Sequence, residues 1–199
     1  MEYNYELSAG EKGYKSVCGI DEAGRGPLAG PVYAAAVILP AGLEIPGLND
    51  SKKLTKKKRE ELFDIITEKA VSYSIAFATA KEIDEINILQ ATFLAMRRAQ
   101  EGLDIPADYA LIDGNRMPPL AIDGETIIKG DAKSPSVAAA SILAKVSRDR
   151  FMLELDKQYP EYQFSKHKGY GTKLHYEMLD KYGVSPVHRM TFLRKYMAK

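Results

Sequence analysis

The sequence predicts a single mixed α/β domain, and three observations support that prediction. The chain has 199 residues, enough to bury one sizeable core but too few for two large domains. Short apolar runs alternate with stretches of helical periodicity along the chain, which is typical of α/β proteins. No internal repeat or low-complexity linker divides the sequence.

The first predicted elements are two strands and a helix. Residues 17–20 form a short apolar run that stops at Asp21 and Glu22, and Gly24, Gly26 and Pro27 then forbid continued regular structure. The apolar run 32–39 predicts a buried strand. Thr55 is a good N-cap for a helix that runs to about residue 70.

A strand, a longer helix and two short strands come next. Residues 71–79 alternate between apolar and polar and predict a half-exposed strand. Apolar residues at helical spacing predict a helix over about 81–101, with Gly102 as its stop. The short runs 109–112 and 126–128 predict two further strands.

Two helices complete the prediction. A serine and a proline open a helix over about 134–159. Its small residues at 138–141 suit a close approach to a sheet. A final helix is expected over 173–182, and the tail after Pro186 is basic.

The composition is that of an ordinary globular protein. Hydrophobic residues make up 45% of the chain and charged residues 28%. The net charge of +1 argues neither for nor against a nucleic-acid partner. Cys18 is the single cysteine, which excludes an internal disulfide and a multi-cysteine zinc site. With no apolar stretch of signal-peptide or membrane length, we expect a reduced, cytoplasmic setting.

Four carboxylates stand where predicted strands, or the segments after them, end: Asp21, Glu22, Asp113 and Asp131. α/β folds place ligands at strand ends, and carboxylates gathered there repel one another unless a cation lies among them. Mg²⁺ and Mn²⁺ prefer oxygen ligands, and no His/Cys cluster favours zinc. Four carboxylates can hold two such ions roughly 3.5–4 Å apart, the arrangement that promotes phosphodiester cleavage.

Each of these acidic residues, taken singly, also has a plainer interpretation. Asp21 and Glu22 could cap a turn. Asp113 precedes a glycine, which is a common hairpin signal, and Asp131 could be a loop residue near a helix N-terminus. Only their joint occurrence with the basic segments favours a metal site.

Two basic segments and a glycine turn are candidates for phosphate contact. Residues 52–59 place cations in the first turn of a predicted helix, which the macrodipole disfavours by roughly 0.3–1 kcal/mol each. A pair of Lys57 with Glu61 would offset only about 0.2–0.5 kcal/mol. A phosphate-bearing partner would explain this placement, and an ordinary surface is the alternative. Residues 24–26 let backbone N–H groups approach a ligand, or they form a tight turn.

The second basic segment, residues 166–172, combines cations, glycines and Tyr170. It suits contact with phosphates and stacking on a sugar or base, or it is a mobile surface loop whose tyrosine packs back onto the domain. The three histidines, His167, His175 and His188, share no ligand spacing. We expect them on the surface or in loops.

Taken together, these segments resemble the type 2 ribonucleases H. The resemblance covers nearly the whole chain, about 17–192, its first motif is highly specific, and residues 87–92 are similar to the bacterial branch. The matching motifs, in chain order, are residues 18–32, 49–54, 111–115, 129–134, 138–145, 168–172 and 185–189.

The resemblance implies a ribonuclease H-like fold, with a central mixed five-stranded sheet flanked by helices. It implies one domain, with a catalytic core over about 16–160 and a small helical C-terminal part over about 161–199. About sixteen residues precede the first motif, so we expect no N-terminal substrate-binding domain like that of type 3 enzymes. A monomer is also implied.

The implied activity is endonucleolytic, on the RNA strand of RNA/DNA hybrids and 5′ to ribonucleotides embedded in duplex DNA. Two-metal hydrolysis with Mn²⁺ or Mg²⁺ would leave 3′-hydroxyl and 5′-phosphate ends. The implied metal ligands and catalytic residues are Asp21, Glu22, Asp113 and Asp131. The implied substrate contacts are backbone groups that read the ribose 2′-OH, a ring that stacks on the next sugar, and cations that face phosphates: Gly24, Arg25, Gly26, Tyr170, Lys52 and Lys145.

Two other functions fit parts of the pattern. A DNA nuclease of the same superfamily, such as a junction resolvase, would need no 2′-OH sensor. A non-catalytic hybrid-binding module would have no use for four carboxylates. Docking to a replication clamp through the basic tail is a further alternative. No motif in the sequence supports it.

Overall fold

The computed structural model describes residues 1–198 and is built around a five-stranded sheet of order β3-β2-β1-β4-β5. The strands are β1 (Val17–Ala23), β2 (Val32–Ile38), β3 (Ser72–Ala78), β4 (Tyr109–Asp113) and β5 (Asp123–Ile127). β1 pairs antiparallel with β2 and parallel with β4; β2–β3 is antiparallel and β4–β5 parallel. The mixed five-stranded sheet is therefore confirmed.

Helices cover both faces of this sheet. They are α1 (Asn4–Glu11), α2 (Lys56–Lys69), α3 (Ala80–Glu101), α4 (Pro135–Gln158), α5 (Phe164–His167), α6 (Lys173–Tyr182) and α7 (Met190–Met197). Alternate residues of a strand point to opposite faces, so Ala34 and Ala36 pack towards α3, whereas Ala35 and Val37 pack towards α2 and α4. No helix within residues 1–198 combines the length and the apolar character needed to cross a membrane.

The N-terminal half of α4 lies directly on β1. A Cβ atom built on Gly19 would come within 2.1 Å of the carbonyl carbon of Ser136, so only a glycine fits at this point of the strand. The small residues at 138–141 are fully or almost fully buried, as the predicted close approach requires. This contact fixes the start of α4 relative to the strand that carries Asp21.

Several element boundaries differ from the predictions. β1 continues beyond the apolar run to Ala23, because Asp21 and Glu22 still pair with β2, and it stops before Gly24, where regular structure was expected to end. β5 begins three residues earlier than expected, at Asp123. The short helices α1 and α7 were not predicted. In α2, Thr55 accepts the predicted capping bond, but Glu61 faces Lys58 rather than Lys57.

α3 contains a break that its periodicity concealed. Asn87 has φ 66° and ψ 164°, outside the helical region. Its side-chain oxygen accepts hydrogen bonds from the backbone N–H groups of Leu89 and Gln90, at 3.0 and 3.2 Å. Asn87 therefore ends one helical segment and caps the next.

The C-terminal helices form a small layer on α4. Its core contains Met152, Tyr162, Phe164, Leu179 and Leu193. The layer is also tied to α3, because the Asp84 carboxylate accepts the backbone N–H groups of Met190 and Thr191 at 2.8 and 2.9 Å.

Candidate active site

Three carboxylates converge at one edge of the sheet. Asp21 lies in β1, Asp113 ends β4, and Asp131 lies in a short 3₁₀ turn, Gly130–Ala132, just before α4. One oxygen from each can be chosen so that all three lie within 4.8 Å of one another. β1 and β4 are parallel neighbours, so their C-terminal ends meet at this edge. Three of the four carboxylates that the sequence singled out therefore lie close together.

Backbone hydrogen bonds hold two of these carboxylates in place. Asp113 Oδ1 accepts the N–H of Gly130 at 2.7 Å, which ties the end of β4 to the turn that carries Asp131. Asp21 Oδ1 accepts the N–H of Glu22 at 2.6 Å. Asp113 is thus the end of a strand in a parallel pair, and not part of a hairpin.

The electrostatics of this cluster favour a cation. Burial, followed by the charges of Glu22 and Asp113, raises the pKa of Asp21 well above its usual value. Burial and the charges of Asp113 and Asp50 likewise raise the pKa of Asp131. The repulsion would be relieved by a positive ion, and an all-oxygen donor set suits hard divalent cations. These residues therefore fit Mg²⁺ or Mn²⁺.

Glu22 lies at the rim of the cluster. Its carboxylate faces the Arg25 guanidinium at 3.5 Å, and it is not among the three that converge within 4.8 Å. Burial raises the pKa of Glu22, while Arg25 opposes that shift. Glu22, Arg25 and Asp113 also line a groove of about 370 Å³, whose apolar wall includes Leu89 and Phe93.

The two candidate lysines have different surroundings. Lys52 Nζ lies 3.9 Å from Asp131 Oδ2, and its side chain is 79% exposed. Lys145 Nζ donates to Asp149 Oδ1 at 2.8 Å, so its charge is balanced within the protein. Lys52 thus belongs to the rim of the acidic cluster, whereas Lys145 is part of an ion pair on α4.

The turn after β1 rests on buried Arg189. Its guanidinium donates to the carbonyl of Gly24 at 2.6 Å, of Arg25 at 2.8 Å and of Gly30 at 2.9 Å. The Arg189 side chain is fully buried. Arg189 lies within a matched motif, but sequence patterns gave no indication of this role, because arginine is normally a surface residue.

A second buried guanidinium, that of Arg148 on α4, lies next to the first. It donates to the carbonyls of Pro31, Ala29 and Lys168 at 3.1, 3.3 and 3.1 Å. A Cβ atom on Gly24, whose φ is +95°, would lie 1.9 Å from Arg148 Nε. Gly24 is therefore needed both for its dihedral angle and for the space that Arg148 occupies.

Tyr170 lies beside this turn. A Cβ atom on Gly26 would be 3.8 Å from Tyr170 Cε1, and the ring centre is 5.8 Å from the Arg148 guanidinium carbon. Tyr170 as a whole remains 43% exposed. The structure thus brings the glycine turn and Tyr170 together, next to Glu22.

The expectation that the three histidines lie on the surface or in loops is wrong for His167 and His175, which lie in α5 and α6, whereas His188 does lie in a loop between α6 and α7. His167, His175 and His188 are buried, and the rings of His167 and His175 stack at 4.3 Å. His175 Nδ1 lies 3.0 Å from the carbonyl oxygen of Tyr170, and the N–H of Gly169 donates to His167 Nδ1. The sequence could not show this, because the rings come from three separate segments. They anchor the loop that presents Tyr170.

Comparison with known proteins gives the family of the chain. The model described as Ribonuclease HII matches residues 18–195. The ribonuclease HII of Caldicellulosiruptor bescii is 56% identical over 94% of this chain and 91% of its own. That of Endomicrobium trichonymphae is 60% identical over 96% and 91% of the two chains.

Two solved structures have the same fold. The crystal structure of ribonuclease H2 from Pyrococcus horikoshii OT3 superposes with a TM-score of 0.72 at 31% identity, over 89% of this chain and 93% of that one. The structure of the PCNA:RNase HII complex from Archaeoglobus fulgidus gives a TM-score of 0.70 at 26% identity, over 88% and 94%.

Proposed function

The chain belongs to the ribonuclease HII family, and from that premise we propose that it cuts 5′ to ribonucleotides embedded in duplex DNA. It is a metal-dependent ribonuclease that cleaves the RNA strand of RNA/DNA hybrids. The finer proposal adds the position of the cut, its 3′-hydroxyl and 5′-phosphate products, and a two-metal mechanism. The main support for this proposal is that the carboxylates of Asp21, Asp113 and Asp131 converge beside a turn whose backbone groups could contact a sugar.

The proposed metal ligands are Asp21, Asp113 and Asp131, with Glu22 completing the set from the rim. When bound, divalent cations activate a water molecule and stabilise the leaving oxygen in phosphodiester hydrolysis. The carboxylates must be ionised to hold the ions, and burial has raised the pKa of Asp21 and Asp131. A bound cation favours the ionised form of each carboxyl and would therefore lower these pKa values. Mg²⁺ and Mn²⁺ both suit the donor set.

The protein surface next to the cluster would orient the substrate. Backbone groups of Gly24, Arg25 and Gly26 would contact the ribose 2′-OH, the group that distinguishes RNA from DNA. Tyr170 lies against Gly26 and is open on its outer side, so it would stack on the following sugar. Lys52, at the exposed rim, would face a phosphate near the cleaved bond.

A DNA nuclease of the same fold is the main rival. It would make no use of a glycine turn placed against an exposed aromatic ring. The substrate pair that separates the two functions is an all-DNA duplex and the same duplex with one ribonucleotide.

The proposed experiment is a metal titration of strand cleavage on that pair, with the product ends mapped. We expect metal-dependent cleavage of the ribonucleotide duplex alone, 5′ to the ribonucleotide, with 3′-hydroxyl and 5′-phosphate ends. Equal cleavage of the all-DNA duplex would contradict the proposal, as would a cut 3′ to the ribonucleotide. The Asp113→Asn variant is the matched inactive control.

Partners beyond the substrate are a separate proposal. The Archaeoglobus fulgidus relative was solved in a complex with PCNA, and by analogy we propose that this chain docks on a replication clamp. Measuring the binding of purified chain to the host's clamp by surface plasmon resonance, with and without the residues after Pro186, tests it. Sedimentation of the free protein tests the implied monomer.

A further inference from the structure

The glycine turn is held from behind by one cationic side chain. Arg189 donates to the carbonyl oxygens of Gly24 and Arg25 at 2.6 and 2.8 Å, and a third bond reaches Gly30. All three donors sit on one rigid, planar guanidinium. The directions of two consecutive carbonyls are thus set by a group that is itself fully buried.

Fixing these carbonyls also fixes the N–H groups of the same peptide units. The structure contains no cis peptide bond in residues 1–198, and across a trans peptide the C=O of one residue and the N–H of the next point in opposite directions. With the Gly24 and Arg25 carbonyls turned inwards to Arg189, the N–H groups of Arg25 and Gly26 must point outwards. Within the described part of the chain, neither N–H donates to a protein acceptor.

The charge of Arg189 strengthens the same arrangement. No carboxylate within residues 1–198 lies within ion-pair distance of the Arg189 guanidinium. Its charged N–H groups therefore donate to backbone carbonyls instead. A charged donor polarises the peptide groups that accept from it, which makes their N–H groups better donors in turn. Burial and the nearby charge of Arg148 lower the pKa of Arg189, yet a guanidinium keeps its proton at neutral pH.

We propose that Arg189 is a positioning residue for ribose recognition: it aims the N–H groups of Arg25 and Gly26 at the 2′-oxygen of the substrate. This inference rests on the proposed function. It assigns the specificity for ribose to a residue of the C-terminal layer, 164 positions after Arg25 and 165 after Gly24 in the chain. A site built to donate to a hydroxyl discriminates strongly against sugars that lack it.

Arg189→Lys is the informative variant. Lysine keeps the positive charge, but one ammonium group cannot reproduce the planar fork that spans three carbonyls. The substrates are duplexes with a single ribonucleotide or a single 2′-fluoro-2′-deoxyribonucleotide, whose fluorine is a poor acceptor. Cleavage is measured in single turnover with enzyme in excess, and the ratio of the two rate constants is compared between variants.

We expect Arg189→Lys to lower the rate on the ribonucleotide duplex at least tenfold and the rate on the fluoro duplex much less, so that the ratio falls. Arg98→Lys is the matched control, because Arg98 on α3 also donates to a backbone carbonyl, that of Phe77 at 2.9 Å, but has no hydrogen bond to the glycine turn. Its ratio should stay at the wild-type value even if its thermal unfolding temperature drops.

An unchanged ratio in a folded Arg189→Lys protein would overturn the inference, because a merely structural role lowers both rates by the same factor. If Arg189→Lys does not fold, Arg189→Ala assayed with added guanidinium gives a second test: rescue of the ratio supports the positioning role, and rescue of both rates equally contradicts it. A wild-type protein that ignores embedded ribonucleotides would instead refute the proposed function.

Discussion

His175 and His188 face each other through their Nε2 atoms at 3.0 Å, beneath the loop that carries Tyr170. The surrounding partners fix which nitrogen donates. His175 Nδ1 faces the carbonyl of Tyr170 and must carry a proton, so its Nε2 accepts. His188 Nε2 then donates, and its Nδ1 accepts the N–H of Ser185 at 3.0 Å. Both rings are neutral, and a second proton on either would place two donors face to face.

We therefore expect His175 and His188 to stay neutral far below the ordinary histidine pKa. Burial, followed for His188 by the charge of His175, lowers the pKa of each to about 4. Because the folded-state pKa is depressed, this contribution to stability is complete above about pH 6.5 and is lost as the pH falls towards 4. At about 1.4 kcal/mol per pKa unit for each ring, the loss amounts to several kcal/mol.

A ¹⁵N NMR titration of the imidazole rings checks this directly. The signals of both rings should keep their neutral pattern, with opposite tautomers, down to about pH 5. A ring that titrates near 6.5 in the folded protein would contradict the assignment. The buried carboxylates act in the opposite sense, since their raised pKa values favour the metal-free fold at low pH, so stability curves alone do not isolate the histidines.

Replacing Asp113 with Asn should abolish turnover without loss of the fold. The change removes a negative charge that raises the pKa of both Asp21 and Asp131, so repulsion in the metal-free cluster falls. We expect cleavage to drop by orders of magnitude, while the thermal unfolding temperature of the metal-free protein is unchanged or higher. The increase in that temperature on adding Mn²⁺ should shrink. Cleavage at the wild-type rate would rule out Asp113 as a ligand.

Gly24→Ala should be strongly destabilising. A methyl group there would lie 1.9 Å from Arg148 Nε, at a φ of +95° that alanine rarely adopts. Overpacking typically costs about 1–3 kcal/mol, with the dihedral strain in addition. Gly10→Ala in α1 is the control, because a Cβ there meets nothing within 4 Å and alanine favours helix. Urea unfolding measures both, and equal stability of the two variants would count against the proposed packing.

Much of the fold could be predicted from local sequence patterns. α3 has apolar residues at helical spacing, α4 opens with a serine and a proline, and β2 is a continuous apolar run. The positions of the acidic residues after apolar runs indicated that several of them would converge. α1 and α7 are only eight residues each, too short to give a clear periodic signal.

The parts that could not be predicted depend on distant contacts. Arg148, Arg189 and the histidines are buried because other segments supply the carbonyls and N–H groups that satisfy them, and a polar residue carries no local mark of such partners. The apolar run marked only the first part of β1 for a related reason: pairing with β2 extends the strand through the acidic residues Asp21 and Glu22 to Ala23.

The break in α3 at Asn87 leads to a separate prediction about stability. Asn87→Ala should lose the cap on Leu89 and Gln90 and place alanine at φ 66°. We expect a loss of about 1–2 kcal/mol of unfolding free energy. Asn87→Gly, which tolerates the dihedral, should lose only a few tenths. Urea unfolding distinguishes them, and if alanine proved the milder change, the strain argument would fail.

Lys52→Ala should weaken substrate binding through charge alone. The side chain is exposed beside Asp131, so an alanine removes one phosphate partner and leaves the core intact. The slope of log affinity against log salt concentration should become shallower by about 1. Lys81→Ala is the control, because Lys81 is similarly exposed and lies 3.8 Å from a carboxylate, but on α3. Binding is measured with the inactive Asp113→Asn background, and equal slopes for both lysine variants would exclude the contact.

The contact between Gly19 and Ser136 has a consequence for how this enzyme tolerates variation. Gly19 precedes Asp21 by two positions on the strand, and Ser136 follows Asp131 by five on the way into α4. Any side chain at position 19 would push α4 away from β1 and so increase the distance between Asp131 and Asp21. A position without a functional group thus fixes the spacing between two of the carboxylates proposed as metal ligands.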